Sequence, residues 1–355
     1  MNAAIRNIGY HLPPCAVSIE DPAGVRSAAD LRRMTGVEGR RIAAAHECSS
    51  DLGVAAARAV LEAEGLNPRD VDFLLFCTQT PDYCIPASAC LMHAQLGLPG
   101  HAGALDYNLG CSGYVYGLAL AKGLIETGQA NRVLLVTAET HSKLLGSSSG
   151  AHVYGDGAAA TLIEASDDSM LDPGIGPFVF GTDGSCAGHI LSGSKGFRSA
   201  EGQSGSCGKT GLHVDGIGVF ESSMSVVPQM AKQVMEKAGL TVDDIRVAVF
   251  YQAAQSSLEV LRRNAGIPKN KFYVSMKDCG NVGSANIPIA LKRAADEGVL
   301  RKHDRILLAG FGSGLSWAGT MLRWACKTAD KFSSNTKIMK SLEEQETYAA
   351  TNIGS

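Results

Sequence analysis

Short apolar runs alternate along the chain with longer segments whose apolar residues recur at helical spacing. In the first half, apolar runs at 71–77 and 133–138 flank a helical pattern at 112–125. The second half repeats this order at 245–251, 287–294 and 305–310. Short apolar runs are typical of buried strands and the longer pattern of amphipathic helices. We therefore predict an α/β protein of stacked βαβ layers, with helices on both sides of mixed sheets.

The repeated order predicts two halves related by pseudo-symmetry. The corresponding strand-to-helix junctions carry Cys111 in the first half and Asn281 in the second. Because no change of composition marks a linker, we predict one integrated unit whose halves span 1–170 and 171–328. Residues 329–355 form a polar tail, predicted as a short helix or a disordered end.

Composition narrows the classes of function. The chain has 355 residues, of which 45% are hydrophobic and 19% charged, so it can bury a large core. A net charge of −3 gives no general case for nucleic-acid binding. Ten cysteines without a CxxC pair or a Cys/His ligand spacing predict reduced thiols, a cytoplasmic protein and no metal site. The N-terminus lacks a signal-peptide core, and no apolar run is long enough to span a bilayer.

Cys111 is the leading candidate for chemistry. It lies in Asp-Tyr-Asn-Leu-Gly-Cys-Ser-Gly at 106–113, where an apolar run gives way to the helical pattern. A thiolate there would face unpaired N–H groups and the positive end of the helix, which lowers the thiol pKa and strengthens the nucleophile. The local pattern by itself favours a buried structural cysteine, because free cysteine packs as a small hydrophobic residue.

The wider sequence favours the catalytic interpretation. Three motifs follow Cys111 in order: Gly-Asp-Gly-Ala-Ala-Ala at 155–160, Asp-Cys-Gly-Asn-Val-Gly-Ser-Ala at 278–285 and Gly-Phe-Gly-Ser-Gly-Leu-Ser-Trp at 310–317. Two others precede it, Thr-Gly-Val-Glu-Gly-Arg-Arg-Ile-Ala at 35–43 and Ser-Ser-Asp-Leu at 49–52. In these motifs the chain resembles the β-ketoacyl-acyl-carrier-protein synthase III family of the thiolase superfamily. The resemblance implies a thiolase-like fold, with two pseudo-symmetric βαβ halves in α-β-α-β-α layers.

The resemblance also implies a mechanism. Family enzymes use a Cys-His-Asn set, in which the Cys takes an acyl group from a thioester. His and Asn then hold the carbonyl of a malonyl thioester while it loses carbon dioxide. Cys111 matches the nucleophile and Asn281 the amide, although an isolated Gly-Asn pair is more often a plain turn. The family's oxyanion hole uses the backbone N–H of the nucleophile and one from the last Gly-rich loop, which match Cys111 and Ser313.

One position departs from the family. The family motif Pro-His-Gln-Ala-Asn aligns with Phe-Tyr-Gln-Ala-Ala at 250–254, so Tyr251 stands at the catalytic His position. A phenol donates a hydrogen bond but is a poor proton acceptor near neutral pH, because its ordinary pKa is about 10. We therefore predict that Tyr251 polarises a carbonyl and does not act as a base. His141 and His152 are alternative bases, although each is more often a structural or surface histidine.

Pocket and docking residues are implied by the resemblance alone. In the family, a residue before a Pro closes the acyl pocket of the partner subunit, which matches Ile85, while Phe311 and Gln252 are assigned to the pocket wall. The family's coenzyme A clamp and carrier-docking arginine are replaced by Asp30, Met34 and Ser256. A candidate patch for docking an acidic carrier protein remains at Arg262, Arg263 and Lys269. Without the resemblance, the pocket residues would be interpreted as ordinary core and the basic residues as a solvated face.

Three functions remain open. The first is a condensing enzyme that uses a coenzyme A or acyl-carrier-protein thioester as substrate and needs no bound cofactor. The second passes the Cys111-bound acyl group to a hydroxyl or amine in secondary metabolism, which the missing His favours. The third is a non-catalytic partner of an active homologue, which the presence of both Cys111 and Asn281 disfavours. The resemblance also implies a homodimer, in which the strand after the nucleophile helix pairs across a two-fold axis, and an exposed sheet edge at 133–136 would otherwise invite nonspecific pairing.

Overall fold

The fold is described from a computed structural model, which covers residues 2–19, 27–145, 153–171, 174–192 and 211–326. Its strands are β1 (Asn2–His11), β2 (Cys15–Ser18), β3 (Gly39–Ile42), β4 (Phe73–Cys77), β5 (Gly103–Tyr107), β6 (Arg132–Glu139), β7 (Gly157–Ser166), β8 (Ile175–Thr182), β9 (Ile190–Ser192), β10 (Leu212–Val214), β11 (Val247–Phe250), β12 (Arg305–Gly312) and β13 (Ser316–Arg323). Its α-helices are α1 (Ala28–Thr35), α2 (Ser49–Glu64), α3 (Ser88–Leu96), α4 (Gly113–Glu126), α5 (Ser142–Leu145), α6 (Gly216–Lys237), α7 (Gln255–Asn264) and α8 (Asn286–Asp296). None of these helices has the length and apolar character needed to cross a membrane. The tail predicted at 329–355 lies outside the described residues.

The first sheet brings the nucleophile turn and a strand end to the same edge. Its strand order is β1-β7-β6-β4-β5, with β4 parallel to β5 and β6, and β7 antiparallel to β6 and β1. Helix α4 is the crossover between β5 and β6. Because parallel strands end at the same side of a sheet, the Cys111 turn after β5 lies on the same side as Glu139, the last residue of β6.

The second sheet repeats this arrangement. Its order is β11-β12-β13-β8, with β11 parallel to β12 and the other pairs antiparallel. A parallel bridge between Ala248 and Phe272 adds an extended segment beside β11, at the place that β5 takes beside β4. Asn281 precedes α8 as Cys111 precedes α4. The two pseudo-symmetric halves predicted from the sequence are therefore confirmed. The boundary at residue 170 stays a prediction.

Helices α4 and α8 form the middle layer. Their buried side chains join one hydrophobic core that includes strands of both sheets, among them Tyr114, Leu118 and Ile125 of α4 and Ala290 and Leu291 of α8. Helices α2 and α3 cover the outer face of the first sheet, and α6 with α7 beside it covers the outer face of the second. The result is the predicted α-β-α-β-α layering, with the termini of α4 and α8 held between the sheets.

The predicted sheet edge at 133–136 is wrong. Strand β6 pairs with β4 on one side and β7 on the other, and its residues from Val133 to Val136 are fully buried because helices cover both faces. The edges of the first sheet are β1 and β5. Leu105 in β5 is 38% exposed, which leaves this edge open to solvent in the described chain.

Candidate active site

Cys111 lies two residues before α4, where the Gly-rich loop of the second half reaches it. A Cβ at position 310 would lie 2.9 Å from the carbonyl oxygen of Cys111, and a Cβ at position 312 would lie 2.5 Å from its Sγ. Both contacts are too close for a side chain. Gly310 and Gly312 therefore let the loop backbone approach the thiol directly.

The Cys111 thiol combines burial with a set of donors. Burial raises its pKa to about 11, while the Tyr251 hydroxyl and the backbone N–H groups of Ser313 and of Cys111 itself lower it. The predicted lowering of the thiol pKa is therefore wrong, because desolvation of the charged sulfur outweighs these donors. The two N–H groups assigned to the oxyanion hole do face this sulfur, so the loop and the nucleophile turn meet as the sequence motif requires.

Three donors fix the side chain of Asn281. Its Oδ1 accepts hydrogen bonds from the Tyr251 hydroxyl at 2.8 Å, the Gly283 N–H at 3.0 Å and Asn286 Nδ2 at 2.8 Å. Because a backbone N–H can only donate, the amide oxygen must lie on this side and Nδ2 on the other. None of the residues that the structure describes accepts a hydrogen bond from that Nδ2. The Asn281 amide therefore has a donor left for a ligand.

Tyr251 connects the thiol with Asn281. It follows β11, is buried, and packs edge-on against Phe311 with ring centroids 5.7 Å apart. Burial is the largest of the effects that raise its pKa well above the ordinary value, so the phenol stays protonated. While the Cys111 thiol is neutral, the single proton of Tyr251 goes to Asn281 Oδ1, which can only accept. The oxygen lone pairs of Tyr251 are then available to the Cys111 S–H group, and Tyr251 has no capacity to act as a base.

Asn286 is a site residue that the sequence analysis missed. It is the first residue of α8 and is buried. Its Oδ1 accepts the Val282 N–H at 3.0 Å, and its Nδ2 donates to Asn281 Oδ1 and to the Gln252 carbonyl at 3.3 Å. Asn286 therefore sets the rotamer of Asn281. The available signal was a polar residue that opens an otherwise apolar helix start.

Glu139 was also missed. Its Oε1 accepts the Ser284 hydroxyl at 2.8 Å, and its Oε2 accepts the Gln79 N–H at 3.0 Å and the Thr80 hydroxyl at 3.1 Å. Burial raises the pKa of this carboxyl to about 7, although these donors lower it. Since Ser284 lies in the turn after Asn281, the carboxylate ties that turn to the first half. Its signal in the sequence was one acidic residue at the end of an apolar strand.

The two alternative bases gain no support. His141 is buried beside Glu139, with its Nε2 3.7 Å from Glu139 Oε2 and its ring edge-on to Tyr154. Burial lowers the pKa of His141 to about 4, so the ring is neutral near pH 7. A proton on this ring would therefore be lost readily, which disfavours it as a base. His152 lies outside the described residues.

The three predicted pocket residues lie in different environments. Phe311 is buried against Tyr251 near the thiol. Gln252 is fully buried, and its amide is engaged by the Phe250 carbonyl and the Ser275 N–H, so this residue braces the loop after β11 and does not line an open pocket. Ile85 is 85% exposed and does not close a pocket within its own chain. Its assignment to the partner subunit's pocket stays a prediction.

The docking assignment needs one correction. Arg262 is buried and is not available to a partner, because its guanidinium donates to both carboxylate oxygens of Glu259 and to the Ile267 carbonyl. Arg263 and Lys269 are exposed and remain surface cations. Arg263 also lies 3.6 Å from Glu259.

Comparisons with known proteins identify the family of the chain. Residues 105–184 match the profile of 3-oxoacyl-[acyl-carrier-protein (ACP)] synthase III, and residues 235–324 match that of its C-terminal part. The curated β-ketoacyl-[acyl-carrier-protein] synthase III of Caldanaerobacter subterraneus is 32% identical over 330 residues, which cover 91% of this chain and 98% of the relative.

Solved structures of the same family have a similar fold. A crystal structure of a 3-oxoacyl-(acyl-carrier-protein) synthase III superposes with a TM-score of 0.86 and 40% identity, covering 91% of this chain and all of the other. The priming β-ketosynthase of the R1128 polyketide pathway superposes with a TM-score of 0.83 and 31% identity, over 91% of this chain and 96% of the other. The thiolase-like fold is confirmed. With Cys111, Asn281 and the Gly-rich loop assembled at one point, the chain belongs to the 3-oxoacyl-[acyl-carrier-protein] synthase III family.

Proposed function

We propose that this protein is a decarboxylating condensing enzyme that forms an acyl-Cys111 intermediate. One observation carries the proposal: the Cys111 sulfur faces two backbone N–H groups, those of Ser313 and Cys111. When the sulfur attacks a thioester, its carbonyl oxygen becomes an oxyanion next to the sulfur. Two preorganised N–H groups at that place are what acyl transfer requires, and one such donor is worth about 3 kcal/mol of barrier.

The first half-reaction loads the enzyme. The Cys111 thiolate adds to the thioester carbonyl, the oxyanion accepts from the two N–H groups, and the carbon–sulfur bond to the donor breaks. The departing thiolate of coenzyme A or of the carrier's phosphopantetheine takes a proton from water. No charge remains on Cys111 in the acyl-enzyme. Burial disfavours the charged sulfur but not the neutral thioester. The raised pKa of Cys111 therefore makes the thiolate harder to form, and it also makes conversion of that thiolate to the neutral acyl-enzyme more favourable.

The second half-reaction uses Asn281. Its free Nδ2 can donate to the carbonyl of a malonyl thioester, which stabilises the enolate that forms as the carbon–carboxylate bond breaks and carbon dioxide leaves. The enolate carbon then attacks the acyl-Cys111 carbonyl. This step forms the carbon–carbon bond, breaks the acyl–sulfur bond and returns Cys111 as a thiolate.

Tyr251 is proposed to stand at the position of the family's catalytic His. In the structure its proton is donated to Asn281 Oδ1. The hydroxyl must rotate toward the malonyl carbonyl before it can act as a second donor. Asn281 Oδ1 still accepts from Gly283 and Asn286 after that rotation, so the cost is one hydrogen bond.

The hydrogen bond from Tyr251 to Asn281 favours a second candidate function. If the Tyr251 proton stays with Asn281, the site offers a single side-chain donor for decarboxylation while the loading machinery is complete. The acyl-enzyme would then pass its acyl group to a hydroxyl or amine acceptor. This acyltransferase reaction needs the oxyanion hole but no malonyl site.

We propose an acyl carrier protein and a second copy of the chain as partners. Arg263 and Lys269 provide exposed positive charge for an acidic carrier, although screening by salt limits what two cations contribute. In the homodimer, the open β5 edge would pair with the β5 of the second copy. Ile85, which is 85% exposed in the single chain, would then enter the partner subunit's pocket.

Intact-mass analysis after incubation with acyl thioesters tests this function. We expect the mass of one acyl group on the protein, its loss on addition of malonyl-carrier protein, and a β-ketoacyl product. Cys111→Ala should abolish the added mass, whereas Cys279→Ala, which changes a buried thiol next to the Asn281 turn, should retain it. Acylation without condensation would select the acyltransferase. Absence of acylation with all donors would contradict both.

A further inference from the structure

The turn that carries Ser313 is short and is held from inside the molecule. Strands β12 and β13 are paired as far as Gly312 and Ser316, so three residues, 313–315, connect them. Gly314 in this turn has a φ of +137°, which favours glycine. The Ser316 hydroxyl donates to the Ser313 carbonyl at 3.0 Å and closes the turn. Ser313 is the residue whose N–H faces the Cys111 sulfur.

A second hydroxyl extends this contact to the nucleophile turn. Ser112, which follows Cys111 directly, lies with its Oγ 2.6 Å from Ser316 Oγ. Both residues are buried, at 1% and 4% exposure. Because the Ser313 carbonyl can only accept, the Ser316 proton goes to it and the Ser112 hydroxyl must donate to Ser316 Oγ. The direction of each hydrogen bond is thus determined.

We propose that Ser112 and Ser316 are positioning residues that set the separation between Cys111 and the Ser313 N–H. One oxyanion donor belongs to the nucleophile turn of the first half and the other to the Gly-rich turn of the second half. The Ser112–Ser316 hydrogen bond joins residues 204 positions apart and connects these two turns beside the sulfur. Neither hydroxyl touches the substrate in this proposal. The inference rests on the proposed function of the two N–H groups.

Loss of the Ser112–Ser316 hydrogen bond should affect the charged states of the reaction, which are the thiolate and the oxyanion. A donor that moves by a few tenths of an ångström loses part of its interaction with a thiolate or an oxyanion, since such hydrogen bonds are short and directional. The same movement has little effect on the neutral thioester in the ground state. Loss of the hydroxyl pair should therefore lower the rate constant for acylation and leave the KM for the acyl donor nearly unchanged.

The test uses four variants at the pair and one control. Ser316→Ala should reduce the acylation rate constant about tenfold, less than the loss of a whole oxyanion donor. Ser112→Ala should have a smaller effect, and the double variant should resemble Ser316→Ala because both act through one chain of hydrogen bonds. Ser316→Thr keeps the hydroxyl and should stay within about twofold of wild type. Thr320→Val is the matched control. It removes a buried hydroxyl of the same strand that donates to the Pro177 carbonyl at 3.0 Å.

A second measurement separates this inference from the proposed function. Alkylation of Cys111 by iodoacetamide at fixed pH reports the thiolate population and needs no acyl donor. We expect slower alkylation in Ser316→Ala, because the Ser313 N–H lowers the thiol pKa, and unchanged alkylation in Thr320→Val. Wild-type rates of acylation and alkylation in Ser316→Ala would overturn the positioning role of Ser112 and Ser316. Thr320→Val rates reduced as much as those of Ser316→Ala would do the same. If wild type takes no acyl group from any donor, the proposed function fails. The alkylation rates still show whether Ser112 and Ser316 position the Ser313 N–H. Should Ser316→Ala not fold, Ser112→Ala carries the same comparison.

Discussion

At the scale of residues, Cys111 is the proposed nucleophile, and its charged form is disfavoured at rest. Burial raises its pKa to about 11, although a hydroxyl and two N–H groups face the sulfur. Those donors act on the ionised sulfur and on the oxyanion of the reaction, and they do not act on the neutral thiol. The site is therefore organised for the charge that develops during acyl transfer, which is the arrangement that lowers a barrier.

The pH dependence of Cys111 alkylation follows from this pKa. Below about pH 11 the thiolate fraction, and with it the alkylation rate, should rise about tenfold per pH unit. Peptide mass spectrometry at several pH values between 7 and 10 would measure this rise, with the exposed Cys90 as a reference for the reagent. A plateau near the ordinary thiol value of 9.0 would contradict the raised pKa.

Removal of the Tyr251 hydroxyl should separate the two half-reactions. In Tyr251→Phe, acylation of Cys111 should remain nearly intact, because two N–H donors still face the sulfur. Transfer to the malonyl substrate should slow by up to about a hundredfold, as expected for loss of one charge-stabilising donor. Rapid-quench measurements of each half-reaction would show this.

The histidine variant is the complement of this experiment. Tyr251→His rebuilds a Cys-His-Asn set around Asn281 and should restore or raise malonyl decarboxylation, measured as release of carbon dioxide. Wild-type behaviour of Tyr251→Phe in both half-reactions would mean that the residue is only pocket wall. The acyltransferase function would then be the better description.

At the scale of elements, each half holds the helix start of the other. The end of β6 binds the turn before α8 through Glu139 and Ser284, which are 145 positions apart. The β12–β13 turn binds the start of α4 through Ser316 and Ser112. Both contacts are buried and polar, so an error in either would leave an unpaired group away from water. The helix starts that carry Cys111 and Asn281 are thereby fixed relative to each other.

Glu139 makes the stability of the fold depend on pH. Its pKa is about 7 in the folded protein and 4.5 as the ordinary value, so the folded state binds this proton more tightly. The contribution of Glu139 to the free energy of unfolding is therefore full below pH 4.5 and declines as the pH rises to about 7, by about 3 kcal/mol at most.

Urea unfolding at a series of pH values tests this contribution. The free energy of unfolding of Glu139→Gln should rise relative to that of wild type as the pH increases from 4.5 to 7, because only wild type carries the titrating carboxyl. Glu38→Gln is the control, because this carboxylate is exposed and, among the residues that the structure describes, forms its ion pair with Lys277, at 3.3 Å. An unchanged pH slope in Glu139→Gln would show that the carboxyl is not the group responsible.

At the scale of the whole molecule, the first sheet of the described structure ends in the edge strand β5. Among the described strands β5 pairs only with β4, and the Cys111 turn follows it directly. Open edges invite pairing with another chain unless something covers them. A second copy bound at β5 would lie close to the Cys111 turn. This arrangement would allow Ile85 of one copy to reach the site of the other.

The oligomeric state tests this arrangement. We expect a dimer by light scattering at micromolar concentration, and Leu105→Lys should shift it to the monomer, because a charge at the centre of the edge opposes burial. Val274→Lys is a matched control, since Val274 is 38% exposed, as is Leu105, and lies in the second half. A wild-type monomer would contradict both the β5 pairing and the proposed pocket role of Ile85.

The sequence by itself determined the fold class and the two pseudo-symmetric halves, and it singled out Cys111 and Asn281 as the candidate nucleophile and amide. Apolar runs set the strands, and the order of several short motifs along the chain, by resemblance to the family, marks Cys111 and Asn281. The tertiary structure alone decided that β6 is central and β5 an edge, that burial outweighs the donors at Cys111, and that Arg262 is internal. It also decided where the Tyr251 proton goes and that Ser112 meets Ser316. Each of these features depends on burial or on contacts between the halves. Burial and such contacts cannot be read from residues that are neighbours in the sequence.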